Sequence, residues 1–417
     1  MFKEKIIQIL VKKTRMREDE IEKLIEIPPV EEFGDYSFPC FVLSKKEKKS
    51  PNIIAEHYQK EFSLKLPEGI EKVESKGPYL NFFVDKKILA SEVLKINANY
   101  GKQNLGKKRT ICIDYSAPNI GKPMHIGHIR STVIGDSLMR IYDFLGYNSV
   151  GINYLGDVGL HIGKLIVAYE LWLNKEALKK DPVSELLRLY IKFCSEEKTK
   201  ITEGIEEEMQ DNIWTNKAKE KIKLLELGDK KTLKIWQEIY KSSSKGFEKV
   251  YDILKVNFND SKGQSNYELK GKEIVNEALK KGIAKRENDG AVYIEFKEEN
   301  KKELTKKYIL RSNGTASYIT YDIGAAYEHF KKYNFDKKIY VTDLRQIDHF
   351  KSLFKILEIL GYDFYKKLEH VPFGTIKFEN EILATREGNI ILLEDVLKKT
   401  IEKAKIEIEK RKTKGDP

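Results

Sequence analysis

The stretch from Asp114 to Asp136, DYSAPNIGKPMHIGHIRSTVIGD, limits the possible folds more than any other part of the chain. The apolar run TICIDY ending at Tyr115 enters a loop holding Pro118, Gly121 and Pro123, and a helical pattern begins close to Gly127. Ile129, Val133, Leu138 and Ile141 recur along it at helical spacing, so the helix is expected to pack along that side and to hold its own start in place. A second apolar strand, SVGINYLGD, follows Gly146. Strand, helix and strand with a short return is the unit of a parallel sheet with right-handed crossovers. Such sheets bind ligands at the carboxyl ends of their strands, where His125 and Asp157 are expected to emerge. His125 and His128 flank the helix start, where unpaired N–H groups and the positive dipole end favour phosphate. Imidazole donors beside it can follow charge developing on a phosphoryl group.

The rest of the chain extends this core. Strand KKIYVT, helix HFKSLFKILEILGY and strand HVPF repeat the same unit, preceded by a turn at Asn313-Gly314 and a helix start near Tyr318. Residues 161 to about 285 read as Lys- and Glu-rich helices with Trp172, Trp214 and Trp236 as packing anchors, and strand patterns resume only at AVYIEF. The expected fold is α/β: a Rossmann-like parallel-sheet catalytic domain over 101–392 with a helical insertion at about 165–285. A small α+β domain (1–100) precedes it, and a C-terminal helix with a polar tail (393–417) follows. In the first domain Tyr36, Phe38, Tyr79 and Phe82 are placed either to stack on RNA bases or to fill a small core.

The chain carries 76 Lys and Arg against 65 Asp and Glu, a net charge of +11. That suits a polyanionic partner but also fits a lysine-rich composition bias. Cys40, Cys112 and Cys194 show no paired spacing, so neither a disulfide framework nor a zinc site is expected. With no run of about 18 apolar residues and a charged N-terminus, no membrane contact and a reducing cytoplasm are expected.

The string HIGH at 125–128, Lys122 three residues upstream and Asn119 six residues before His125 together resemble class I aminoacyl-tRNA synthetases, specifically arginyl-tRNA synthetase. GDYSFP, GPYLNF, SYITYDIGAA, YVTDLRQIDHFKSLF and HVPFG resemble other segments of that family in order, across nearly the whole chain. The resemblance implies ATP-dependent activation of arginine to arginyl-adenylate and transfer to tRNA-Arg. Mg2+ would come with ATP, and no dedicated protein metal site is expected. It assigns arginine to Asp114, Asn119, Tyr318, Asp322 and Gln346, with Asp322 on the guanidinium and Asp114 and Gln346 on the other polar ends. A guanidinium is always charged and offers five donors, so such a pocket needs carboxylates and carbonyl-type acceptors. His125, Gly127 and His128 would touch the phosphates, and the backbone around Val371, Phe373 and Gly374 would hold adenine. The N-terminal domain would contact tRNA, which would be gripped at its acceptor stem and D-loop by a monomeric enzyme.

The departures also lie in functional segments. The family's mobile lysine-bearing loop is here ILATREG (382–388), with both lysines gone and Glu387 added, so Lys122 and Arg386 are assigned the lost positive charge. Val158 and His161 replace a Trp and a Gln, and Tyr321 replaces an Arg. No helical anticodon-binding domain is found, which implies a truncated chain or a short paralogue. Two other readings therefore stay open: a paralogue that passes arginine or a similar amino acid to a non-tRNA acceptor, and a catalytically weak RNA-binding regulator.

Overall fold

The computed structural model describes residues 2–199, 213–297, 304–378, 381–382 and 391–411. The chain divides into two compact units, Met1–Gly101 and Lys102–Pro417.

The first unit contains helices α1 (Phe2–Thr14), α2 (Glu18–Leu24), α3 (Ser44–Glu47), α4 (Pro51–Leu64) and α5 (Lys86–Val93). Its antiparallel sheet runs β1-β3-β2, with β1 at Tyr36–Pro39, β2 at Ile70–Lys76 and β3 at Tyr79–Val84. Phe38 and Phe82 are fully buried in its core, so base stacking by these two is excluded. Tyr79 meets the half-exposed Phe41 ring edge-on.

The second unit is built on five parallel strands in the order β11-β10-β4-β5-β6. These are β4 (Thr110–Asp114), β5 (Asn148–Leu155), β6 (Asp260–Gly263), β10 (Lys337–Asp343) and β11 (Leu368–Phe373). The strand order reverses between β4 and β10, and a crevice opens at such a reversal beyond the carboxyl ends of the strands. A strand turns alternate side chains to opposite faces, so Ile111 and Ile113 of β4 and Ile339 and Val341 of β10 join one core while Cys112 and Tyr340 join the other. Helix α6 (Gly127–Phe144) connects β4 to β5, and α14 (Ile347–Ile359) connects β10 to β11.

Between β5 and β6 lie α7 (Leu160–Trp172), α8 (Lys175–Lys180), α9 (Pro182–Thr199), α10 (Ile213–Glu226) and α11 (Lys230–Leu254). Trp214 is buried in their core, with Trp172 and Trp236 packed against it. The insertion is shorter than expected, because β6 (DSKG) is a sheet strand. Four residues with no apolar side chain carry no period, and β6 pairs with β5 through its backbone from Ile152↔Asp260 to Leu155↔Gly263. After α12 (Glu268–Lys280), the strand AVYIEF does not resume the parallel sheet. It is β8 (Val292–Lys297), which sits between β7 (Lys285–Arg286) and β9 (Leu304–Leu310) in a separate antiparallel sheet. Helix α13 (Tyr318–Tyr333) then leads to β10. A two-stranded ribbon of β12 (Lys377–Phe378) and β13 (Glu381–Ile382) precedes α15 (Leu393–Lys410).

Helix α6 packs on a different stripe from the one its large apolar residues suggested. Ser131, Thr132, Gly135 and Met139 are buried, while Val133 and Ile141 are exposed. The cause is close approach to β4: a Cβ on Gly135 would lie 2.1 Å from Cγ of the buried Tyr115. Small residues set the contact, and Ile129, Ile134 and Leu138 pack along its border.

Candidate active site

After Asp114 the chain turns sharply through two non-glycine residues in the left-handed region, Ser116 at φ 69° and Ala117 at φ 48°. Each costs on the order of 1–3 kcal/mol, and hydrogen bonds hold both. Ser116 N–H donates to Ser131 Oγ at 2.9 Å and Ala117 N–H to Asn153 Oδ1 at 3.1 Å, while Thr132 Oγ1 donates to Ser116 Oγ. Ser131 Oγ itself donates to the Val341 carbonyl of β10 at 2.7 Å. The turn sends Pro118–Ile120 along β5, where Gly156 N–H reaches the Pro118 carbonyl and Ile120 N–H the Gly156 carbonyl. Asn119 is thereby exposed at the crevice. Gly121 N–H is tied to Ser243 Oγ of α11 at 2.8 Å.

The two histidines are locked by backbone. His125 N–H donates to His128 Nδ1 and Gly127 N–H donates to His125 Nδ1, both at 3.1 Å. An amide N–H can only donate, so the His125 Nδ1 is an acceptor and that ring carries its proton on Nε2. The His128 Nδ1 lies 3.1 Å from the His125 N–H and 3.3 Å from the His125 carbonyl, and the shorter contact makes it an acceptor as well. The ring centroids are 4.1 Å apart. Burial, then Lys122 and Arg345, lowers the His125 pKa, and burial with His125 close by pushes His128 down to about 3. Both are neutral near pH 7 and can donate without taking up a proton. No side chain caps the start of α6. Segment 391–393 clamps the turn by main chain: Ile126 N–H bonds the Ile391 carbonyl at 3.1 Å and Leu393 N–H the Met124 carbonyl at 3.0 Å.

Asp114 ends β4, buried, and burial pushes its pKa up to about 6 against the pull of Lys338. Asp322 lies across from it on α13 and accepts from His349 Nε2 at 2.6 Å. Tyr318 opens the same helix, where Ser317 and Thr320 form a capping box. It is 47% exposed, with its hydroxyl beside Gly159. The buried hydroxyls of Tyr154 and Tyr340 lack hydrogen-bond partners. Both pKa values are raised well above the usual tyrosine range by burial and by Asp322 and Asp114, and the Tyr154 hydroxyl stops short of an ordinary hydrogen bond to Asp322. Two carboxylates and two orphaned hydroxyls suit a ligand with several N–H donors.

Gln346 is exposed in the 3-10 turn Leu344–Gln346 past the end of β10. Val371 and Phe373, partly buried, close β11, and the carbonyl of the exposed Gly374 accepts from Arg130 of α6. The Lys122 ammonium lies 4.6 Å from the centroid of the Tyr190 ring on α9. Arg386 lies outside the described residues. Asp157 does not serve the crevice: its carboxylate is fully buried and accepts from Ser265 N–H and Oγ. Among the described residues no group of three or more His, Cys, Asp or Glu could hold a metal ion, and no helix is long and apolar enough to cross a membrane. The three cysteines are free and buried.

Sequence reasoning missed Lys338, His349, Tyr154 and Tyr340 as pocket residues. No sequence signal marked Lys338: only the pairing of β10 on both sides shows that its lysine could not simply face water, because interior parallel strands are buried on both faces.

A parallel sheet whose strand order reverses beside an uncapped helix start is a nucleotide-binding α/β architecture, and the family match places it among the class I tRNA synthetases. Residues 90–415 match the family described as tRNA synthetases class I (R), catalytic domain, and residues 1–84 match the arginyl tRNA synthetase N terminal domain. The chain is 42% identical over 406 residues to the arginine–tRNA ligase of Clostridium beijerinckii, covering 96% of this chain and 69% of that one. It is 42% identical over 416 residues to that of Halothermothrix orenii, covering 98% and 70%. The chain belongs to the arginyl-tRNA synthetase family. Its fold is similar to the solved arginyl-tRNA synthetases of Thermus thermophilus (TM-score 0.62, 20% identity, 100% of this chain and 71% of that one) and Plasmodium falciparum (0.60, 23%, 97% and 69%).

Proposed function

We propose that the chain is an arginine–tRNA ligase whose crevice forms arginyl-adenylate and passes the arginyl group to tRNA-Arg. One observation supports the reading: an uncapped helix start with two imidazoles and a pair of carboxylates lie at the carboxyl ends of strands beside one strand-order reversal. The helix start is that of α6, between two neutral imidazoles. With the carboxylates of Asp114 and Asp322 stand the partnerless hydroxyls of Tyr154 and Tyr340.

Bound ATP supplies the α-phosphorus that the arginine carboxylate attacks, with pyrophosphate leaving. The terminal ribose hydroxyl of tRNA then attacks the arginyl carbonyl, loses its proton and displaces AMP. Asp322 pairs with the guanidinium, steadied by His349, and Tyr318 closes over it from the same helix. Asp114 and Gln346 take the ammonium end, and Asn119 lies between the two ends. The Nε2–H groups of His125 and His128 donate to phosphate oxygens as charge builds there, a preorganised effect that needs no proton transfer. Gly127 lets the His125 ring lie flat on the helix start. Backbone groups from Val371 through Phe373 to Gly374 line the adenine side. Lys122, turned from Tyr190 toward the crevice, and Arg386 add positive charge for the triphosphate, and Mg2+ rides on the phosphates.

The first unit holds the tRNA outside its acceptor stem, and the enzyme works as a monomer in the cytoplasm, where its three free cysteines stay reduced. ATP–pyrophosphate exchange with arginine, run with and without tRNA-Arg, tests the reading. Exchange that depends on tRNA supports it. No exchange under either condition overturns it, and tRNA-independent exchange would assign the activated arginine to another acceptor.

A further inference from the structure

We propose that Lys338 fixes the charge and the aim of Asp114, acting through it as a positioning residue for the ammonium end of the amino acid. The inference rests on the ligase reading and deepens it. Lys338 sits on β10, an interior strand of the sheet, with no exposure to solvent. Taking an ammonium out of water costs several kcal/mol unless partners replace the water, and Lys338 has three: Asp114 Oδ2 at 3.5 Å, His329 Nδ1 at 2.7 Å and the Tyr340 ring 4.4 Å from its nitrogen.

Burial lowers the Lys338 pKa while Asp114 holds it up, and the partner behind it adds no opposing charge. His329 is buried on α13, and its Nε2 is 2.8 Å from the Tyr267 hydroxyl. An ammonium can only donate, so Nδ1 accepts from Lys338 and Nε2–H donates to Tyr267. Burial and the adjacent Lys338 hold His329 well below the usual histidine pKa, so it stays neutral and adds no repulsion. The buried charges facing each other are thus Lys338 and Asp114. A buried ion pair is often no better for stability than well-packed apolar residues, so the site explains this pair better than the fold does. A carboxylate has two oxygens, and Lys338 takes Oδ2 of Asp114. Oδ1 is left for an ammonium.

Groups from every neighbouring element act on Asp114. Burial raises its pKa most, and Asp322 of α13 and Asp260 of β6 push the same way, while Lys338 of β10 opposes them. The Tyr340 hydroxyl of β10, Tyr154 of β5, Tyr267 before α12 and Cys112 on its own strand complete the ring of titratable groups, and all four have their own pKa raised by burial. Without Lys338, burial and the two aspartates act unopposed.

The test is Lys338→Met, which keeps the volume and removes the charge. Arginine kcat/KM is followed by ATP–pyrophosphate exchange with tRNA-Arg from about pH 5 to about pH 9. Wild type should lose activity on the acid side near the Asp114 value of about 6. The variant's acid limb should move up by about one unit, roughly a tenfold loss at the old limb, carried by KM rather than kcat, with wild-type rates regained on the alkaline plateau. A folded variant with an unmoved limb, or with a uniform loss at every pH, overturns the inference. If Lys338→Met does not fold, His329→Leu removes the acceptor behind Lys338 and should move the limb the same way by less. The Asp114 carboxyl, titrated by carbon-13 NMR and assigned with Asp114→Asn, reads the shift without turnover. A wild type that shows no exchange therefore defeats the ligase reading alone, and an unmoved NMR titration in Lys338→Met defeats this one.

Discussion

Replacing Gly127 with alanine should separate the chemistry of the crevice from the stability of the fold. A methyl group there would stand 2.8 Å from Cε1 and 2.9 Å from Nδ1 of the His125 ring. Carbon atoms in contact prefer about 3.5 Å, so the ring must retreat by roughly 0.7 Å or more. It cannot retreat toward His128, whose ring centroid is already 4.1 Å away. It must instead swing off the Gly127 N–H bond that fixes its tautomer. Misplacing a catalytic group by about 1 Å can cost about 100-fold in rate, which corresponds to roughly 2.7 kcal/mol of transition-state stabilisation. The fold loses little, because φ at Gly127 is not positive and alanine is the better helix former by up to about 1 kcal/mol. We expect an unfolding midpoint at or slightly above that of wild type. ATP–pyrophosphate exchange should show kcat down about 100-fold and arginine KM within about threefold of wild type. A folded variant that exchanges within about threefold of wild type would refute the reasoning, since the His125 ring would then have no fixed task.

His128→Ala should lower activation far more than arginine affinity, because its Nε2–H acts on charge that develops only in the transition state; calorimetry showing an equal loss of arginine binding would contradict that. Asp322→Ala should weaken arginine binding by roughly 5- to 150-fold, since an unpaired charged group costs on the order of 1–3 kcal/mol, and unchanged affinity would mean the guanidinium lies elsewhere. His161 gives a pH test of stability. Its Nε2–H donates to the Gly156 carbonyl at 3.3 Å, and burial pushes its pKa down to about 3 from an ordinary 6.5. The unfolded chain therefore binds a proton that the fold refuses between those values, and stability falls as pH drops through that window. His161→Asn should flatten the acid-side decline in melting temperature, and an unchanged pH profile would count against a neutral buried ring.

Much of the parallel sheet could be read in advance because β4, β5 and β10 are long enough to carry apolar runs. β6 could not, because DSKG pairs through backbone and offers no side-chain period. The stripe of α6 was misjudged for a related reason: close helix–strand contact selects Ser131, Thr132 and Gly135, and small residues do not register as apolar. In the candidate site, His125 and His128 stood out from the strand-to-helix motif, whereas Asp114 and Asp322 came only from the family resemblance. The quiet supports showed in neither. Nothing in KKIYVT marked Lys338 as a buried charge, since only the pairing of β10 on both sides places it inside the sheet, and His349 showed no pattern to link it with Asp322 from 27 positions away. Asp157, legible as a strand-end acid, turned out to brace the backbone at Ser265.

The two main-chain bonds that clamp the histidine turn to residues 391 and 393 also set a schedule for the newborn chain. Each closes a span of about 265 residues. At translation speeds of about 5–20 residues per second, roughly 15–50 s separate the synthesis of the turn from that of the segment that pins it. Strand β4, helix α6 and strand β5 can assemble early on the ribosome, but the nucleotide end of the crevice takes its final form only after nearly all of the described chain has been made.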